Sequence, residues 1–63
     1  MSYIATDIVG DPVEVIAEDG EVEVIEQNAS DPETEFFTRY TPDQAIRLAT
    51  CLLQAATEAR DQE

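Results

Sequence analysis

The chain has 63 residues and carries 15 Asp and Glu against three Arg, with no Lys and no His, for a formal net charge of −12. A chain of this length buries about 60% of the surface it exposes when unfolded, so one small core is expected, without a second domain or a large cofactor-binding architecture. The cations stand apart at Arg39, Arg47 and Arg60, which argues against direct nucleic-acid binding; with no His and a single Cys, Ser/His and Cys/His nucleophile pairs and zinc sites are not expected either.

The N-terminal segment Met1-Ser2-Tyr3-Ile4-Ala5-Thr6-Asp7 lacks a basic leader region and a continuous apolar stretch, and no apolar run approaches the roughly 18 residues needed to span a bilayer. These features predict a cytoplasmic protein with no membrane partner. Residues 3–9 are short and rich in β-branched side chains, and they close on Gly10-Asp11-Pro12; a first strand is expected there.

Residues 13–18 and 21–27 alternate apolar and acidic side chains on either side of Asp19-Gly20. Asp-Gly between two alternating runs predicts a hairpin closed by a type I′ turn, because that turn needs positive φ at both central positions. A two-residue turn also dictates the register. Glu18 then faces Glu21, Ala17 faces Val22, Ile16 faces Glu23, Val15 faces Val24 and Glu14 faces Ile25. One face collects Val13, Val15, Ala17, Val22 and Val24 and reads as the core side. The other collects Glu14, Ile16, Glu18, Glu21, Glu23 and Ile25, four carboxylates around two isoleucines.

Residues 28–34 have the composition of a loop, with Pro32 holding its predecessor extended, and Asn28-Ala29-Ser30 fits a glycosylation sequon that an intracellular chain would not use. A strand is expected over 35–40, where Phe36, Phe37 and Tyr40 promise much of the apolar core. A helix is predicted over 42–60. Its start combines Thr41 as N-cap, Pro42 at the first helical position, Asp43 near the positive dipole end and Gln44 at the capping-box position. Ala45, Ile46, Leu48, Ala49, Leu52, Leu53, Ala55, Ala56 and Ala59 fall in one half of the helical wheel, and Cys51 lies at the rim of that arc, where it reads as a small buried or half-buried hydrophobe. A lone Cys forms no internal disulfide, so packing or association with another chain must hold the domain together.

The expected architecture is a single α+β domain: an antiparallel β-meander of three or four short strands with one C-terminal amphipathic helix packed on one face. Thr41-Pro42-Asp43-Gln44-Ala45, followed by Leu48-Ala49, Leu52-Leu53 and Ala55-Ala56, resembles the C-terminal helix of small acidic proteins from high-GC actinobacteria and their phages. That resemblance implies a strand-then-helix fold and brings no activity with it.

Gly20 followed by Glu26 mimics the second half of a calcium loop, but the preceding ligand positions hold Val15 and Ala17, so no metal or cofactor is expected. Carboxylates on a short exposed hairpin, in a chain too small to wrap a substrate, do not point to an enzyme. Glu21 and Glu23, two residues apart on one strand, project about 6.8 Å apart, close to the phosphate spacing of a nucleic-acid strand. Glu14, Ile16, Glu18, Glu21, Glu23 and Ile25 are therefore the candidate partner-binding residues, presented to a basic protein surface, with mimicry of a DNA backbone as one form. The same acids also serve solubility, or reflect a high-GC or salt-adapted host. Ile16 and Ile25 form an apolar pair that one helix cannot cover while it packs on the valine face, and they point to a homodimer or a partner. The alternative is an assembly protein whose self-association is its function.

Overall fold

The computed structural model describes residues 1–28 and 31–62, with the side chain of Pro32 outside the description. Strands β1 (Ser2–Thr6), β2 (Pro12–Glu18), β3 (Glu21–Asn28) and β4 (Asp31–Tyr40) are followed by helix α1 (Pro42–Asp61). The strands form one four-stranded antiparallel sheet in chain order, a meander. The α+β class is as expected.

The β2–β3 hairpin follows its turn chemistry. Asp19 and Gly20 have φ of 52° and 76°, and the register pairs Glu18 with Glu21, Ala17 with Val22, Ile16 with Glu23, Val15 with Val24 and Glu14 with Ile25. Asp tolerates the left-handed region better than most residues, and Gly enters it without steric cost.

The first strand is shorter than its β-branched sequence suggests. Ile8 and Val9 were expected inside it, yet they stand in a turn, with Ile8 fully exposed. Asp7 closes that turn: its carboxylate accepts from the backbone N–H of Val9 at 3.0 Å and of Asp11 at 2.9 Å, its carbonyl accepts from the N–H of Gly10 at 3.1 Å, and its own N–H donates to the carbonyl of Asp11 at 3.0 Å. Such an Asx arrangement, completed by Gly10 at φ 91°, outcompetes the strand preference of two exposed aliphatic residues.

Strand β4 begins at Asp31, inside the stretch that reads as a loop. Gln27 pairs with Glu35 while the adjacent Asn28 pairs with Asp31, so the intervening residues of β4 bulge out of the ladder. Asp31 holds the bulge, accepting from the Thr34 hydroxyl at 2.6 Å and the Glu33 N–H at 3.3 Å. The turn chemistry of the Asp-Pro sequence is thus spent on an irregularity within an edge strand, where a proline is tolerated. Ala29 and Ser30 of the sequon lie outside the described residues.

A single residue, Thr41, joins β4 to α1. The capping box is complete: the Gln44 N–H donates to the Thr41 hydroxyl at 3.2 Å and the Thr41 N–H donates to the Gln44 side-chain oxygen at 3.0 Å, with Pro42 opening the helix. Replacing Thr41 with Ala costs about 1 kcal/mol of stability and lowers the helical ellipticity at 222 nm during thermal unfolding; an unchanged melt would show the cap to be dispensable.

The packing departs from the expected two-layer sandwich. Among the described residues none is buried. The helix meets β3 and β4 but covers neither face of the sheet, leaving Ile46, Leu52 and Leu53 respectively 64%, 61% and 71% exposed. The valines at 13, 15, 22 and 24 are half-buried and Ala17 is exposed. Phe36 and Phe37, expected in the core, are also exposed; adjacent on an edge strand, they point to opposite faces, and no second layer lies over either. The radius of gyration is 13.2 Å, against about 10.6 Å for a compact chain of this length.

Candidate interaction surface

The meander sorts the side chains into two faces through its registers. Tyr3 is opposite Val15, Val15 opposite Val24 and Val24 opposite Thr38; Ala5 is opposite Val13, and Val22 opposite Tyr40. This is the valine face. On the reverse, one row runs Ile4, Glu14, Ile25, Phe37 across all four strands, and the next runs Ser2, Ile16, Glu23, Arg39.

All six candidate residues lie on that reverse face. Glu14, Ile16, Glu23 and Ile25 are half-buried within the sheet, while Glu18 and Glu21 stand exposed beside the turn. Glu18 and Glu21 are directly opposed, a like-charge pair that costs stability unless a cation approaches. Ile16 and Ile25 are diagonal neighbours, as the hairpin register requires.

Three further residues belong to this surface and were not evident from the hairpin alone. Ile4 and Phe37 extend the isoleucine pair to both sheet edges, at 70% and 59% exposure. Arg39 stands opposite Glu23 and joins Glu18, Asp19, Glu21 and Glu23 around a depression of about 100 Å³. The acids between Asp11 and Glu26 have no cation among them in sequence, yet the fold sets one beside them. The β3–β4 register supplies it, and the bulge at Asp31 hides that register from a sequence count.

A hollow of about 100 Å³ falls well short of the 300–1,000 Å³ in which small molecules are usually enclosed. Among the described residues no three His, Cys, Asp or Glu side chains gather as a metal set, and no helix is long and apolar enough to cross a membrane. Cys51, expected to be buried or half-buried, is exposed on α1, because no layer covers that side of the helix. The surface combines carboxylates with exposed and half-buried aliphatic side chains.

No protein-family model matches the chain, and comparison with curated proteins and with solved structures gave no match.

Proposed function

We propose that this chain is a small non-catalytic interaction protein that presents its acidic β2–β3 hairpin to a basic protein surface. The observation that carries the reading is the register itself, which sets Glu14, Glu18, Glu21 and Glu23 on one face with Ile16 and Ile25 between them. A basic partner adds positive charge beyond the single Arg39 that the fold sets beside Glu18 and Glu21, while the isoleucines exclude water from the contact. A partner that ordinarily holds DNA fits this description, since the carboxylate spacing along β3 approximates that of phosphates.

The experiment compares capture of partners by the tagged chain and by a variant combining Glu14→Lys, Glu21→Lys and Glu23→Lys. Partners of the hairpin are lost from the variant. They also leave the wild-type chain as salt rises beyond about 0.1 M, where exposed charges are screened within about 10 Å. An identical set of partners for both chains overturns the reading.

A second reading, self-association as the function itself, is favoured by a different observation: no described residue is buried in the single chain. The charge-reversed variant separates the two, because assembly through apolar surface survives the substitutions.

A further inference from the structure

We infer that the C-terminal helix of this chain lies across the valine face of a second copy, whose own helix lies across the first, in a closed two-fold dimer.

The area of exposed surface sets the scale. The chain exposes 5396 Å², whereas a folded monomer of 7.0 kDa exposes about 4,000 Å². The excess of about 1,400 Å² lies within the 1,000–2,500 Å² that each partner contributes to an obligate dimer. A second copy therefore accounts for the surplus in full.

The two surfaces that carry the surplus suit each other. The helix offers Ile46, Leu48, Leu52 and Leu53 amid alanines, which allow close approach to a sheet. The sheet offers Val13, Val15, Val22 and Val24, while Glu14, Glu18, Glu21 and Glu23 project from the opposite face. Covering the valines buries none of those four carboxylates. Arg60 falls inside the apolar arc of the helix and Glu26 lies in register with Val13 on the valine face, so the two surfaces bring opposite charges to one contact.

The short junction argues for a helix supplied by the other chain. Thr41 alone separates β4 from α1, with φ −67° and ψ 159°, and its hydroxyl and N–H are both engaged by Gln44. Connections that fold a helix back onto its own sheet commonly use two to six residues. With the single residue Thr41, the connection is shorter than that, and the helix meets only β3 and β4 of its own sheet. An equivalent helix from a two-fold-related copy is free of this short tether, and reciprocal exchange closes the assembly at two chains.

This inference is independent of the acidic-hairpin reading, since the hairpin carboxylates lie on the other face and their reversal leaves the dimer intact. Sedimentation at about 1 M salt, where charges are screened within about 3 Å, should give the wild-type chain twice its 7.0 kDa mass. A helix variant (Leu52→Asp with Leu53→Asp) and a sheet variant (Val15→Asp with Val24→Asp) should each sediment as monomers. Mixed in equal amounts they should form a 1:1 complex, because the intact helix of one covers the intact valine face of the other.

A monomeric wild type, a dimeric helix variant, a dimeric sheet variant, or a mixture without a 1:1 species overturns the inference. Should the aspartates unfold their chains, Leu52→Ala and Val24→Ala test the same surfaces, each weakening the dimer dissociation constant by about tenfold or more. An unchanged constant in either overturns it.

Discussion

Leu52→Ala lowers the free energy of unfolding by about 2–5 kcal/mol, the range of a buried large-to-small substitution, although Leu52 is 61% exposed in the single chain. The side chain behaves differently in the two environments open to it. On an isolated helix, the truncation removes little that was hidden from water and replaces leucine with the better helix former, so the change stays within about 0.5 kcal/mol. Against a valine face, the same truncation loses the transfer free energy of three carbons and leaves a cavity. Urea unfolding at fixed protein concentration measures the difference directly. A loss below about 0.5 kcal/mol would mean that the helix stays in solvent.

Each tenfold increase in protein concentration raises the apparent free energy of unfolding by about 1.4 kcal/mol per mole of dimer, because folding and association are one equilibrium when neither chain has a core of its own. For a protein in which no described residue is buried by its own chain, the effect covers the whole transition and both elements. The circular-dichroism signal of the helix and the tyrosine fluorescence of the sheet shift together. Denaturation midpoints that coincide across a hundredfold dilution would indicate a monomer stable by itself. A shift confined to the helix signal would indicate a sheet that folds alone, which its half-buried valines do not support.

The parts of the fold that were legible in the sequence are those governed by neighbours in the chain. Asp19-Gly20 sets its own turn and therefore the register of twelve flanking positions, and Thr41 to Gln44 carry a complete capping box within four residues. The misreadings share a different cause. Ile8 and Val9 follow a carboxylate that bonds to backbone two and four residues on, and that bonding overrides their strand preference. The same side-chain chemistry at Asp31 creates a bulge where composition suggests a loop. The candidate surface was half visible, because Glu14 to Ile25 share a hairpin, whereas Ile4, Phe37 and Arg39 reach it through strand pairings with no short-range signature. Amphipathic spacing along α1 identified the side of the helix that needs covering. It carries no information about which molecule does so.

In the proposed dimer, the one-residue connection through Thr41 sends the helix to a second chain. A strand and a helix joined by one residue have a short tether between them, and in this chain the leucine arc of the helix stays in solvent, with Ile46, Leu52 and Leu53 exposed. In that dimer, the length of this connection therefore bears on stoichiometry. Inserting a few glycines after Tyr40 should give the helix more freedom to turn back, and sedimentation should then show monomer beside dimer.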